Sequence, residues 1–186
     1  MSDAEFHAGR YRGAVWRPSP NCDDRPSGVT IDLLVIHAIS LPPGKFGGQD
    51  IDALFCNTLD CTADPFYAEL VGLHVSAHFV IERHGGVTQY VSTERRAWHA
   101  GVSSFGGRTL CNDYSIGIEL EGDDATPFES SQYAALIKLT CALRQAHPRI
   151  AISRMVGHAD IAPARRTDPG PYFDWVRFRA SLVAGR

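Results

Sequence analysis

Leu33-Leu34-Val35-Ile36-His37 is a run of four large apolar residues that ends in a histidine. A short apolar run of this kind predicts a buried strand, and we place that strand at residues 31–37. A strand that ends in histidine delivers a neutral imidazole to the edge of a sheet. The run therefore predicts a central sheet and also marks His37 as a candidate functional residue.

Alternating residues predict a second strand from Tyr114 to Glu121. In an extended chain successive side chains point to opposite faces, so Glu119 and Glu121 share the face opposite the isoleucines. Glu121 is expected to face solvent. His78, on another predicted strand, is expected to be a buried structural residue held by hydrogen bonds.

The longest predicted helix runs from Ser130 to Ala146, where apolar residues recur at helical spacing. Ser130 or Ser131 can cap its start, and Pro148 follows its end. A last helix is predicted after Asp174, which can cap it.

The remaining elements complete a mixed arrangement of strands and helices. We predict a hairpin at 76–82 and 87–92, a short helix at 50–57, a strand at 155–157, and a short helix or frayed arm at 1–17. This order predicts a mixed α/β single domain, with a central, mostly mixed β-sheet flanked by α-helices. The domain is expected to span residues 1–186, with a core from about 18 to 182.

A second histidine and a carboxylate lie ten positions apart, at His158 and Asp168. Asp168 leads directly into Pro169-Gly170-Pro171, in which the prolines fix φ and the glycine permits a tight turn. A carboxylate on such a rigid corner can be aimed at a fixed point, as a metal ligand must be. Together with His37 these residues form a known ligand set for catalytic zinc, with the fourth position left to water.

Composition excludes several classes of protein. The chain has 186 residues, 44% of them hydrophobic, and a formal net charge of −3, which gives no reason to expect nucleic acid or an anionic membrane as a partner. No apolar run approaches the roughly 20 residues of a membrane span. The polar start lacks the apolar segment of a secretory signal. We therefore expect a cytoplasmic protein, and a monomer.

The five cysteines fit a reducing compartment, because their number is odd and no CxxC pair occurs. Cys56 and Cys61 could form half of a metal site. The favoured interpretation is that all five are free thiols in or near the core.

Four segments of the chain, in order, resemble those of a known family. They are Val35–Gly44, Ala97–Gly101, Ser115–Gly122 and His158–Pro171. Together they are similar to the AmpD family of cytosolic zinc-dependent N-acetylmuramoyl-L-alanine amidases, which are related to lysozyme-type phage amidases and peptidoglycan recognition proteins. The resemblance runs from about Pro18 to Leu182.

The resemblance implies a fold, a reaction and a site. It implies that His37, His158 and Asp168 hold zinc and that Glu119 is the catalytic acid and base. The implied reaction is hydrolysis of the amide bond between N-acetylmuramic acid, in its 1,6-anhydro form, and L-alanine of muropeptides. It would serve peptidoglycan recycling in the cytoplasm, with the muropeptide as the partner.

Further residues are assigned by the same resemblance. Trp98, His99 and Arg165 are assigned to substrate binding. Arg166 stands where relatives carry a lysine and is assigned to stabilisation of the oxyanion, with its planar guanidinium altering the geometry. Ala38 stands where relatives commonly carry an asparagine, which removes an amide that could bind substrate.

Three other functions remain open from the sequence. The first is a non-catalytic module that binds muropeptides, which the complete set of His37, His158 and Asp168 argues against. The second is an amidase for intact murein, which the missing export signal disfavours. A cysteine hydrolase is the most remote, because no cysteine has an evident partner motif.

Overall fold

The computed structural model describes residues 5–184, and within this range it contains twelve strands and four α-helices. The strands, numbered in chain order, are β1 (Phe6–His7), β2 (Arg10–Tyr11), β3 (Val15–Trp16), β4 (Cys22–Asp24), β5 (Leu33–Ile39), β6 (Phe79–Ile81), β7 (Val87–Gln89), β8 (Arg95–Ala97), β9 (Ser104–Phe105), β10 (Arg108–Thr109), β11 (Ser115–Glu121) and β12 (Met155–Gly157). The helices are α1 (Asp50–Phe55), α2 (Ser130–Ala146), α3 (His158–Ile161) and α4 (Trp175–Ala184), with 3₁₀ turns at Pro65–Leu70, Cys111–Asp113 and Ile152–Arg154.

Six strands form the central sheet, in the order β12-β5-β11-β6-β7-β3. The predicted strand around Ile36 is β5, which lies between β12 and β11 and pairs with both in parallel. The predicted hairpin is formed by β6 and β7, the one antiparallel pair of this sheet. The prediction of a mixed central sheet is therefore confirmed.

The two faces of the sheet are covered differently. One face packs against α2 and α4, and its core includes Ile36, Ile118, Leu136 and Phe178. The opposite face carries Leu33 and Val35 in one cluster, and Val80 with residues of α1 in another. Helices thus lie on both faces, as predicted. Alternation along β5 and β11 places His37 and Glu119 on the second face, away from α2.

The helix α2 has the predicted bounds, but its N-cap residue differs. The cap is Glu129, whose backbone is extended and whose N–H donates to Oε1 of Gln132 at 3.0 Å. Ser130 and Ser131 already belong to the first turn, and the hydroxyl of Ser131 donates to the carbonyl of Arg83. For α4 the predicted cap is confirmed, because Oδ1 of Asp174 accepts from the N–H of Arg177 at 2.8 Å.

The N-terminal arm is built from strands, so the prediction of a helix or frayed arm at 1–17 is wrong for residues 5–17; residues 1–4 lie outside the described part. Strands β1 and β2 pair with each other, and β3 is the edge strand of the central sheet. Gly9 and Gly13 disfavour a helix here. Tyr11 is buried in the core, which therefore begins before Pro18.

Two expectations concern the chain as a whole. Among residues 5–184, no helix combines the length and the apolar character needed to cross a membrane. All five cysteines are free, as expected. Cys56 and Cys61 do not belong to any converging group of metal ligands in the described range.

Candidate active site

Three predicted ligands converge on the face of the sheet opposite α2. Nδ1 of His37 lies 3.0 Å from Nδ1 of His158 and 3.1 Å from Oδ2 of Asp168, and the latter two atoms are 3.2 Å apart. His37 is 1% exposed and His158 is 5% exposed. Within residues 5–184 this is the one group of three or more histidine, cysteine or acidic residues whose ligand atoms converge.

Local structure explains how residues far apart in sequence meet here. His37 is delivered by β5, and His158 begins α3 directly after the neighbouring strand β12. The carbonyl of Asp168 accepts from the N–H of Ala159 at 2.9 Å, which ties the carboxylate segment to the start of α3. Gly170 has φ +80°, and a Cβ there would lie 2.4 Å from Oδ1 of Asp124, so the turn requires glycine as predicted.

The hydrogen bonds around His158 show what the site can bind. Nε2 of His158 lies 3.2 Å from the carbonyl oxygen of Ala100, and a carbonyl can only accept. A neutral His158 therefore carries its proton on Nε2 and turns the lone pair of Nδ1 toward His37 and Asp168. Lone pairs that crowd together in this way are stabilised by a cation.

The spacing of the three atoms fits zinc. Ligands at the usual Zn–N and Zn–O distances of about 2.0–2.1 Å in a tetrahedron are separated by about 3.3–3.4 Å. The observed separations of 3.0 to 3.2 Å are slightly shorter. Two imidazoles and one carboxylate also match the donor chemistry of catalytic zinc sites, which leave a fourth position open.

The protonation of the group suits metal binding. Burial lowers the pKa of His37 and favours its neutral form. Burial raises the pKa of Asp168, but the close contacts of its carboxylate with the rings of His158 and His37 outweigh that effect and hold the pKa well below its usual range. These two shifts favour the neutral imidazole of His37 and the ionised carboxylate of Asp168.

Glu119 lies directly beside this group. It is in register with His37 on the neighbouring parallel strand, so the two side chains project from the same face. Its Oε2 atom is buried and has no hydrogen-bond partner among the described residues. Burial raises the pKa of Glu119 well above its ordinary value, the charge of Asp168 raises it further, and Arg166 opposes both.

A groove of about 370 Å³ opens over these residues. Its polar lining includes Glu119, His158, Arg166, Thr167 and Asp168, together with Asp123 and Asp124. Its apolar lining includes Ala38, Leu41, Leu54, Phe66, Leu70 and Leu73. Trp98 and His99 line the groove as well. A groove with one apolar lining and one cluster of titratable groups is typical of a substrate site.

The two arginines of the C-terminal loop are placed differently. Arg166 lines the groove, is exposed, and makes no side-chain hydrogen bond to another residue within 5–184. Arg165 does not line it: its Nη2 donates to the carbonyls of Ala100 at 2.7 Å and Val102 at 2.8 Å. The interpretation of Arg165 as a substrate contact is therefore not supported, because its guanidinium is engaged in holding the loop at Ala100.

Trp98 and His99 also differ in their surroundings. Trp98 lines the groove, and its Nε1–H donates to Oδ1 of Asp23 at 3.1 Å, which fixes the indole. His99 is buried, and both of its ring nitrogens have partners inside the protein, Nε2 of His37 at 2.9 Å and Oγ of Ser115 at 3.1 Å. No ring nitrogen of His99 is left for a substrate carbonyl or hydroxyl in this arrangement.

Two residues of β11, Glu121 and Ser115, form buried hydrogen bonds that were not predicted from the sequence. Glu121 was expected in solvent but is 4% exposed, because its carboxylate accepts from the backbone N–H groups of Gly47 at 2.5 Å and Arg83 at 3.0 Å. Both partners are remote in sequence, so no pattern pointed to them. Ser115, by contrast, shares the alternating face of Glu119, and that alternation was a usable signal.

The sequence of this chain matches a known family and is similar to known members of it. Residues 27–171 match the family described as N-acetylmuramoyl-L-alanine amidase. The chain is 57% identical over 167 residues to the 1,6-anhydro-N-acetylmuramyl-L-alanine amidase AmpD of Escherichia coli K12, covering 90% of this chain and 91% of the relative.

Two solved amidase structures superpose on this chain. The crystal structure of a selenomethionine derivative of AmpD superposes with a TM-score of 0.93 at 52% identity, over 95% of this chain and 98% of that one. The amidase AmiD of Escherichia coli, solved with anhydro-N-acetylmuramic acid-L-Ala-D-γ-Glu-L-Lys, superposes with a TM-score of 0.61 at 31% identity, over 84% of this chain and 60% of that one.

Proposed function

This chain belongs to the N-acetylmuramoyl-L-alanine amidase family, and we propose that it is a zinc enzyme whose substrates are soluble 1,6-anhydro-muropeptides. It is a hydrolase of amide bonds, and it acts on muropeptides in peptidoglycan recycling. The bond cleaved joins the lactyl group of N-acetylmuramic acid to L-alanine of the stem peptide. Water adds its oxygen to the lactyl carbonyl carbon, and the alanine nitrogen leaves as a free amine.

The observation that carries the proposal is the convergence of His37, His158 and Asp168 beside Glu119 in an open groove. We assign these three residues as the ligands of zinc. Zinc, when bound, would polarise the scissile carbonyl and lower the pKa of water toward neutral pH. A module that only binds muropeptides would have no need of a complete ligand set with a buried carboxylate next to it.

Glu119 is assigned the proton transfers. As a carboxylate it takes a proton from the attacking water, and as a carboxylic acid it delivers that proton to the departing nitrogen. The raised pKa of Glu119 brings it closer to the pH at which the enzyme works, and a side chain with such a pKa can serve first as base and then as acid. Because Oε2 has no partner within the described residues, it is free to bond water or the leaving amine.

Arg166 is assigned to the negative charge that develops on the carbonyl oxygen. It lies on the groove two residues before Asp168, and it makes no internal side-chain bond that would have to break first. A cation at the developing oxyanion lowers the barrier because it binds the transition state more tightly than the substrate. Trp98, with its indole held by Asp23, is assigned as a wall of the groove.

The function is tested by one comparison of substrates. The protein is incubated with purified anhydro-muropeptides and with intact sacculi, each with and without a chelator, and released peptide is followed by mass spectrometry. We expect chelator-sensitive release from anhydro-muropeptides and slow release from sacculi. Equal release from sacculi would support an amidase of intact murein, and tight binding without release would support a binding module. We place the activity in the cytoplasm, where recycled anhydro-muropeptides arrive, and expect it of a monomer.

A further inference from the structure

The face of His37 turned away from the ligand cluster contacts a second buried histidine. Nε2 of His37 lies 2.9 Å from Nδ1 of His99, and the two rings are nearly perpendicular at 84°. Both residues are buried. In a pair of neutral imidazoles one ring must donate and the other must accept.

A hydrogen-bond chain beyond His99 fixes which ring donates. Oγ of Ser115 lies 2.6 Å from the carbonyl oxygen of Cys111 and 3.1 Å from Nε2 of His99. A carbonyl only accepts, so the single hydroxyl proton of Ser115 is donated to Cys111. The oxygen of Ser115 must then accept from Nε2–H of His99.

The direction of the chain carries through to the ligand cluster. Neutral His99 with its proton on Nε2 has a lone pair on Nδ1, which accepts from Nε2–H of His37. Neutral His37 then has its own lone pair on Nδ1, the atom that faces His158 and Asp168. One backbone carbonyl at Cys111 thus sets the tautomers of two histidines in series.

The fold holds His99 firmly in this place. A Cβ on Gly117 would lie 2.5 Å from Cγ of the His99 ring, so the ring rests against the bare backbone of β11. The N–H of His99 donates to Oδ1 of Asn112 at 3.1 Å. Along one face of β11, Ser115 anchors the chain, Gly117 makes room for the ring, and Glu119 reaches the site.

We propose that His99 is a positioning residue, which holds His37 in the tautomer and orientation that direct Nδ1 to the metal, and that it is not a substrate contact. This inference rests on the proposed zinc site. It assigns Ser115 as the second link of the same chain. Partners of this kind typically change metal affinity or activity by about 10–100-fold when they are removed.

The first test measures zinc affinity by competition with a chromophoric chelator. His99→Phe keeps a ring but removes both nitrogens, and we expect zinc affinity to fall by about 10–100-fold. His99→Asn keeps an acceptor near the position of Nδ1, and we expect it to restore most of the affinity. His147→Phe is the matched control, because Nε2 of His147 also bonds a hydroxyl, that of Thr93, away from the site; it should bind zinc as the wild type does.

The second test reads the tautomers directly. Imidazole ¹⁵N chemical shifts of the metal-free protein should show the proton on Nε2 of both His37 and His99. Ser115→Ala removes the acceptor of the chain, and we expect the tautomers of both rings to become mixed. A merely structural role for His99 would leave the tautomer of His37 unchanged in this variant.

The outcomes separate this inference from the proposed function. If the wild type neither binds zinc nor releases peptide, the proposed function fails. If it does both, but His99→Phe binds zinc as tightly as the wild type or His99→Asn binds as poorly as His99→Phe, only the positioning role is overturned. Should His99→Phe fail to fold, the pair His99→Asn and Ser115→Ala decides the question by the ¹⁵N shifts.

Discussion

His37 and Glu119 are directly paired across the parallel strands β5 and β11. Neighbouring strands lie about 4.8 Å apart, and paired residues project from the same face of the sheet. A ligand of the proposed zinc and the proposed proton carrier are thus set side by side by the hydrogen bonds of the sheet itself. A shift of the register by one residue would pair His37 with Ile118 or Leu120 and turn Glu119 to the other face, and the pairing would be lost.

The first prediction concerns the two glutamates of β11. Glu119→Gln should lower turnover by about 10²–10⁴-fold while zinc content and fold are retained, because an amide cannot carry the proton. The matched control is Glu121→Gln, which should keep most turnover. It should instead loosen the loop at Gly47, because the N–H of Gly47 donates a hydrogen bond to the carboxylate of Glu121. Steady-state kinetics with zinc analysis checks both. Near-normal turnover in Glu119→Gln with loss in Glu121→Gln would reverse the assignment.

The second prediction concerns the metal ligands. Wild-type protein should carry about one zinc per chain, and His37→Ala, His158→Ala and Asp168→Ala should each lose most of it, because three protein ligands are needed at such a site. Elemental analysis after gel filtration measures this, with His147→Ala as the control histidine. Full retention of zinc in His158→Ala would exclude the proposed ligand set.

The third prediction separates Arg166 from Arg165. Arg166→Ala should lower kcat by about 10²–10³-fold with zinc in place, as typically follows the loss of one oxyanion donor. Arg166→Lys should retain much of the activity, since the charge is kept. Arg165→Ala should lower kcat far less, because that guanidinium is bonded to the carbonyls of Ala100 and Val102.

Two results would contradict this assignment of the arginines. An effect of Arg166→Ala on KM alone would mean that Arg166 binds substrate and transition state equally. A larger loss of kcat in Arg165→Ala than in Arg166→Ala would move the role to Arg165.

The fourth prediction concerns the acid stability of the metal-free protein. His78 is fully buried, and its Nδ1 accepts from the N–H of Gly117 at 3.0 Å. Burial holds its pKa well below the ordinary value, and the positive charge of Arg25, whose Nη2 is 3.0 Å from Nε2, acts in the same direction. The contact with the carbonyl of Arg95 opposes this, while His147 and His37 lower the pKa further.

The sign follows from the lowered pKa. Below about pH 6.5 the unfolded chain protonates this histidine and the folded protein does not, so the free energy of unfolding falls as the pH falls. His78→Gln should make that fall shallower by up to about 1.4 kcal/mol per pH unit. Chemical denaturation between pH 7.5 and 5.5 measures it; equal slopes for the variant and the wild type would show that His78 is protonated in the folded protein.

Much of the fold was predictable because its elements carry strong local patterns. The apolar run around Ile36 gave β5, alternation gave β11, and helical spacing gave α2 with its observed bounds. The N-terminal strands were not predictable, because β1, β2 and β3 have two residues each, too few to show an alternating pattern. β3 is held by pairing with the distant β7, while β1 and β2 pair with each other. The cap of α2 at Glu129 was missed because serine is the commoner N-cap residue.

The sequence by itself determined which residue types were present to do chemistry: two histidines and an aspartate as ligands, with Glu119 on an alternating strand. Only the tertiary structure decided which groups remain free to act. It turned Arg165 to the carbonyl of Ala100, buried Glu121 against Gly47, and enclosed His99 between His37 and Ser115. The physical reason is that a polar side chain bonds to whichever donors and acceptors the folded chain brings within about 3 Å. Those partners lie tens of residues away, where no local pattern records them.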